Sequence, residues 1–260
     1  MSMTLLNLGC GRRRHHAFTN ADLRPESPEV LEVDLRRPLP FLEGEFDGVY
    51  CSHVLEHLSP GAGRRLVAEM ARVLRPGGIV RVVVPDPEGI CRAYLAALEE
   101  ADGGDAEALD RHAWMTLELV DQMTRDRRGG LMLRWWQRDP VPAESFVLSR
   151  MGEEARATIE HFRRRRAETG RAPVSDATWD DPEEMDEKER RRYAESGESH
   201  RWMYDRVSLA RLLAGAGFTG SRRVGPCESM IPGWADFHLD ADAEGRPYKA
   251  DSLWMEAVRG

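Results

Sequence analysis

Short apolar runs alternate, over the first third of the chain, with turns that end in small, polar or acidic residues. Leu5-Leu6-Asn7-Leu8 leads into Gly9-Cys10-Gly11, and Ala17-Phe18-Thr19-Asn20-Ala21 leads into Asp22. Val30-Leu31-Glu32-Val33 is followed by Asp34 and Leu35, and Phe46-Asp47-Gly48-Val49-Tyr50-Cys51 by Ser52 and His53. Runs this short, bounded by turn residues, predict four strands whose carboxyl ends share one edge. Leu66, Val67, Met70, Val73 and Leu74 form a single stripe at helical spacing, and Pro76-Gly77-Gly78 is expected to stop that helix. Ile79-Val80-Arg81-Val82-Val83-Val84 is nearly continuous in β-branched residues, which predicts a central parallel strand covered on both faces and ending at Pro85-Asp86.

A helix is expected from about Glu88 to Leu98, and the pattern then changes. Residues 105–198 are charge-rich, carry Trp114, Trp135, Trp136 and Trp179, and show helical spacing without a strong strand run. They read as a helical insertion that forms a lid for substrate over the binding edge. Asp180 to Arg192, where charges of both signs dominate, reads equally well as a disordered surface segment. Regular structure returns with Asp205 as an N-cap, Val207, Leu209, Leu212, Leu213 and Ala216 on one helix face, and Gly217 as the stop. Phe218 to Val224 predicts a strand, and Ser252 to Val258 a last strand pairing at the sheet edge. The implied organisation is one sheet domain of residues 1–104 and 199–260, interrupted by the insertion at 105–198.

Composition narrows the function classes. A chain of 260 residues with 41% hydrophobic content can hold one large α/β domain with an insertion. Its net charge of −8 speaks against a general nucleic-acid binder, and the Arg163 to Arg166 cluster reads as a solvated helix face. Cys10, Cys51, Cys91 and Cys227 are scattered and form no Cys-x-x-Cys pair, so neither a disulfide framework nor a zinc site is indicated. No stretch approaches the roughly 20 apolar residues of a membrane span, and no secretory leader is recognisable. A cytoplasmic enzyme without a membrane partner is the expectation.

The chemistry is expected at the strand edge. Glycine at a strand-end turn lets a ligand approach bare backbone, and an acid at the end of the second strand suits both hydroxyls of a ribose. A later acid can accept from an adenine amino group. Leu6 to Gly11, Asn20-Ala21-Asp22, Asp34-Leu35 with Pro38-Leu39-Pro40-Phe41, Phe46-Asp47-Gly48-Val49, Ser52-His53-Val54-Leu55-Glu56-His57-Leu58 and Arg72-Val73-Leu74-Arg75-Pro76-Gly77-Gly78, in this order, resemble class I S-adenosylmethionine-dependent methyltransferases of the type 11 kind. The resemblance covers about residues 4 to 86. It implies a Rossmann-like, doubly wound, mostly parallel seven-stranded sheet with the insertion between strand five and the last helix. S-adenosyl-L-methionine is then the cofactor, held by Leu8, Gly9, Cys10, Gly11, Asp22, Leu23, Asp34, Leu35, Ser52 and His53. His200-Arg201-Trp202-Met203-Tyr204-Asp205 and Asp251-Ser252-Leu253 resemble a bacterial subgroup found among cell-surface glycan and secondary-metabolite genes.

One departure bears on the ribose role. Gly9 and Asp22 are only 13 positions apart, and the connection holds Arg12, Arg13, Arg14, His15 and His16. The arginines are candidates for the methionine carboxylate of the cofactor or for an acidic substrate. Methyl transfer is an in-line displacement, and alignment alone can account for roughly 7–11 kcal/mol of barrier lowering. A general base adds about 10²–10⁴-fold at most, so it is optional. His53 is the first candidate base for a hydroxyl acceptor, Asp86 the second, and His57 reads as a packing or capping residue. His200, Trp202 and Tyr204 are expected to line the acceptor pocket. No trio of acids suggests a metal.

The leading function is methyl transfer to a hydroxyl or amine of a small molecule or glycan, with self-association as a homodimer left open. An NAD-dependent oxidoreductase shares the adenosine logic but needs Gly-x-Gly-x-x-Gly, and Gly9-Cys10-Gly11-Arg12-Arg13-Arg14 lacks the third glycine. A methyltransferase-like binding module without catalysis is the other alternative.

Overall fold

Seven strands form the sheet in the computed structural model, which describes residues 3–170 and 187–260. They are β1 (Leu5–Leu8), β2 (Phe18–Asp22), β3 (Leu31–Glu32), β4 (Phe46–Ser52), β5 (Leu74–Pro85), β6 (Phe218–Val224) and β7 (Ser252–Arg259). Their order is β3-β2-β1-β4-β5-β7-β6. The first five pair in parallel, whereas β7 is antiparallel to both β5 and β6. The order reverses between β1 and β4, and the carboxyl ends of those two strands flank the crevice where such sheets bind ligands.

The expected position of the last strand is corrected. β7 is not at the edge but lies between β5 and β6. Residues 252–257 of β7 are all buried, as a strand hydrogen-bonded on both sides requires, while β6 exposes Thr219, Gly220, Arg222 and Arg223 and makes the edge.

Alternation along the strands gives the two faces different chemistry. Leu6, Val49, Val80, Val82 and Met255 face helices, packing against Leu66, Val67 and Met70 of α1 (Pro60–Val73) and Leu209 and Leu213 of α8 (Arg206–Gly215). Their neighbours Leu5, Tyr50, Val83 and Trp254 face Ile231, Trp234 and Leu239, which come from the irregular segment after β6. On this second face Arg81 is fully buried, with Nε donating to Asp240 Oδ2 at 2.8 Å and Nη1 to Glu256 Oε1 at 2.9 Å. Further bonds run from Arg81 to the carbonyls of Gly225 and Glu228, and its guanidinium lies 4.5 Å from the Trp234 ring centroid. Tyr50 donates its hydroxyl to Asp240 Oδ1 at 2.6 Å, and burial together with Asp240 pushes the phenol well above its ordinary range. One arginine thus ties the irregular segment to the sheet.

The helices of this unit start where their caps dictate. Ser59 accepts from the Ala62 amide, and Pro60 supplies a first-turn residue with no amide to satisfy. The helix ends at Val73, earlier than the Pro-Gly-Gly stop, because proline disfavours helical angles at the residue before it. Leu74 already pairs with Phe46. Asp205 caps α8 by accepting from Val207 and Ser208, and Ser208 closes a capping box. Asp205→Ala should cost about 1 kcal/mol in urea denaturation; an unchanged midpoint would remove the cap from the account of α8.

By its contacts the chain divides into two units, residues 1–86, 201–246 and 252–260, and residues 87–200 and 247–251. The first carries the sheet. The second contains α2 (Pro87–Ala101), α3 (Ala106–Thr124), α4 (Gly130–Trp136), α5 (Glu144–Met151), α6 (Glu153–Thr169) and α7 (Glu187–Ser196). It begins at Pro87, so α2 clusters with the helices and not with the sheet. It has a core of its own, with Trp114 stacked on Trp136 at 6.0 Å and Met115, Trp135, Val147 and Ile159 buried. Glu118 is buried there and accepts from Trp114 Nε1 and Arg150; burial pushes its carboxyl up despite both bonds. Trp179 and residues 180–186 lie outside the described residues, and residues 187–192 are helical. Among the described residues no helix is long and apolar enough to cross a membrane.

Candidate active site

The turn after β1 is built for close approach. Gly9 has φ +69°, and a Cβ there would lie 2.3 Å from Val54 Cγ2 and 3.7 Å from Leu35 Cδ1, so only glycine fits. The Gly9 and Cys10 amides both donate to the Ala21 carbonyl, at 2.8 and 3.2 Å. Gly11, at φ +50°, is exposed and would meet nothing within 4 Å of its Cβ, which leaves bare backbone open at the edge. Its amide donates to Asp22 Oδ2 at 2.8 Å, and the Arg24 amide donates to Oδ1 at 2.9 Å. A carboxylate offers about four acceptor sites, so after two such bonds capacity for two hydroxyls remains. The Cys10 thiol is raised to about 11 by burial and by Asp22, and is neutral at physiological pH.

Two asparagines make the short β1–β2 connection possible. Asn7 and Asn20 are register partners in adjacent strands, and Asn7 Nδ2 donates to Asn20 Oδ1 and to the Arg13 carbonyl, each at 3.0 Å. Asn20 Nδ2 donates to the His15 and Phe18 carbonyls. The loop is pinned by side chains where a helix would have held it. Sequence reasoning did not single these residues out, although two strand-averse residues in neighbouring short strands were a usable signal. Arg12 is exposed and pairs with Glu26.

At the end of β3 the expected adenine contact is engaged within the chain. Asp34 Oδ1 accepts from the Arg36 amide and Nε at 3.0 and 2.8 Å, and Oδ2 accepts from Nη2 at 3.0 Å. The Arg36 guanidinium, joined by Arg37, holds the Asp34 carboxyl below the usual carboxylate range. Leu35 is buried against the glycine turn, and Leu23 is exposed beyond Asp22.

Ser52 ends β4, and His53 turns the chain with φ +53°, one of the few non-glycine residues in the left-handed region among those described. Its amide donates to the Val83 carbonyl. The ring lies between two partners, with Nδ1 3.0 Å from Glu56 Oε1 and Nε2 3.0 Å from Ser252 Oγ. While both contacts stand, neither nitrogen is open to an acceptor's proton. His57 Nε2 is 4.0 Å from the same Glu56 oxygen. Asp86, the other candidate base, is buried and accepts from Arg223 Nη2 at 2.9 Å.

The three aromatic candidates occupy different settings. Tyr204 is buried in the core between sheet and helices, and its hydroxyl lies 2.7 Å from where a Cβ of Gly63 would be. It anchors its segment to α1, and burial pushes its phenol up. Trp202 is 46% exposed, with its amide donating to the Glu56 carbonyl. His200 is buried in the helical unit and donates its amide to the Gln122 carbonyl.

A mostly parallel sheet with its order reversal beside a glycine turn, and an acid at the next strand end, is the arrangement at whose edge open α/β sheets bind ligands. Residues 6–82 match the model of a methyltransferase domain. Three solved structures show a likeness. A Thermotoga maritima S-adenosylmethionine-dependent methyltransferase, a possible histamine N-methyltransferase, is 11% identical over 100% of this chain and 84% of its own, with TM-score 0.43. An Archaeoglobus fulgidus S-adenosylmethionine-dependent methyltransferase is 11% identical over 99% and 86%, with TM-score 0.42. A Burkholderia thailandensis 1,6-didemethyltoxoflavin-N1-methyltransferase with bound S-adenosylhomocysteine is 25% identical over 32% and 45%, with TM-score 0.29. No curated protein matches the chain. The matched domain over residues 6–82 supports a methyltransferase that uses S-adenosyl-L-methionine as its cofactor.

Proposed function

We propose that the chain transfers the methyl group to a hydroxyl, or an amine, of a small molecule or glycan. The observation that carries the site is the Gly11 amide bonded to Asp22 Oδ2 beside an open stretch of glycine backbone. In this reading the turn of Leu8, Gly9, Cys10 and Gly11 receives the cofactor, Asp22 accepts from its ribose, and Leu23, Asp34, Leu35, Ser52 and His53 surround it. An adenine amino group at Asp34 would share that carboxylate with Arg36. The cofactor supplies an electrophilic methyl on a sulfonium. The chain's own task is to align the acceptor and exclude water, an effect large enough to carry the reaction without a base. The commitment of His53 to Glu56 and Ser252, and of Asp86 to Arg223, favours alignment over general-base catalysis.

The net charge of −8 favours a neutral or cationic acceptor over a polyanion such as nucleic acid. The run from His200 to Asp205 supports a place in the bacterial subgroup found among cell-surface glycan and secondary-metabolite genes. Incubation with methyl-tritiated S-adenosylmethionine and pooled alcohols, amines and oligosaccharides should label one of these classes; label appearing only in nucleic acid would overturn the assignment. Asp22→Ala is expected to weaken S-adenosylhomocysteine binding by about 1–3 kcal/mol, the cost of leaving buried polar partners unpaired. Unchanged affinity in calorimetry would take Asp22 out of the ribose role.

A further inference from the structure

The end of β4 holds a strained residue that is clamped from two sides. His53 adopts φ +53°, and a left-handed non-glycine residue persists only where its surroundings over-determine it. Three contacts do so here. The amide donates to the Val83 carbonyl, Nδ1 meets Glu56 Oε1 at 3.0 Å, and Nε2 meets Ser252 Oγ at 3.0 Å. The Glu56 side chain is fully buried. In the tautomer that carries its hydrogen on Nδ1, the ring donates to Glu56 and Nε2 accepts from the Ser252 hydroxyl.

The consequence reaches the cofactor turn through the next residue. Val54 Cγ2 fills the space in which a Cβ of Gly9 would sit, at 2.3 Å. The angle at His53 therefore decides where Val54 meets the glycine turn. Ser252 begins β7 and lies 199 positions away in sequence, so the clamp joins the end of β4 to the start of β7.

We infer that Glu56 and Ser252 are positioning residues for cofactor binding, which hold His53 in its left-handed conformation and thereby seat Val54 against Gly9. This rests on the reading that the glycine turn receives the cofactor. It assigns the His53 side chain a conformational task distinct from proton transfer. A glycine at position 53 would adopt the same angle without any clamp.

The test is calorimetry with S-adenosylhomocysteine on full-length variants, with thermal melting of each unliganded variant as a check on folding. Ser252→Ala and Glu56→Gln should each weaken binding, and His53→Ala should weaken it by roughly tenfold, as expected for a strained conformation no longer enforced. His53→Gly should bind at least about fivefold more tightly than His53→Ala, because glycine reaches φ +53° unaided. Adding Ser252→Ala to His53→Gly should then change nothing further. Equal affinities for His53→Gly and His53→Ala would overturn the inference, as would wild-type affinity in both Ser252→Ala and Glu56→Gln. A wild-type protein that fails to bind S-adenosylhomocysteine at all would instead overturn the cofactor reading, and the inference with it.

Discussion

Alanine at position 9 is expected to abolish measurable cofactor binding and to destabilise the sheet unit. Two costs add at this residue. A β-carbon in the left-handed region costs roughly 1–2 kcal/mol, and Gly9 sits at φ +69°. The added atom would also lie 2.3 Å from Val54 Cγ2, so the turn or Val54 has to move, at a further cost of about 1–3 kcal/mol for overpacking. Either movement displaces the backbone proposed to receive the ligand. Gly11→Ala makes an internal control, because at φ +50° it carries only the first cost, with nothing within 4 Å of the new atom. Calorimetry and urea denaturation of both variants should rank Gly9→Ala far below Gly11→Ala; equal behaviour would mean that Val54 yields easily and that the turn is not tightly set.

Arg81→Met should destabilise the protein by about 3–5 kcal/mol, the usual penalty for leaving buried charges without their partner. Asp240 and Glu256 would both remain in the interior without the guanidinium that pairs with them. The bonds to the carbonyls of Gly225 and Glu228 would be lost as well, and with them the attachment of the segment that covers the second sheet face. Neutralising the acids in the same chain, as Arg81→Met with Asp240→Asn and Glu256→Gln, should recover a large part of the loss, because amides are cheaper to bury than carboxylates. A loss under about 1 kcal/mol in urea denaturation of Arg81→Met would show that water reaches the cluster and that the segment is held by its aromatic contacts instead.

What could be read from the sequence were the features that local chemistry decides. Strands β1, β2, β4, β5 and β6, the α1 stripe and the Asp205 cap follow from short apolar runs, turn residues and helical spacing, and each stands within a few residues of its expected place. The glycine turn and Asp22 share one edge because the strands that they end are neighbours and parallel, and there the Gly11 amide meets the Asp22 carboxylate. Features set by distant partners were not legible. Alternation in residues 252–258 announces a strand but not its neighbours, so the insertion of β7 between β5 and β6 had no local signal. Arg81 had no local signal, since its counter-charges come from residues 159 and 175 positions away. His53 looked like a free base because Ser252 is far off in sequence, although Glu56, three residues on, was within reach of inspection. Tyr204 illustrates a different limit: an aromatic residue before a helix suits a pocket and an anchor equally, and the glycine at position 63 that receives its hydroxyl decides for the anchor.

The central claim is that the edge formed by Gly9, Gly11 and Asp22 receives S-adenosylmethionine. Titration calorimetry of the wild-type chain with S-adenosylmethionine, S-adenosylhomocysteine and NAD tests it most directly. The account predicts saturable one-to-one binding of the first two, weakened in Asp22→Ala, and no heat of binding with NAD; saturable binding of NAD without binding of either adenosyl compound would contradict it.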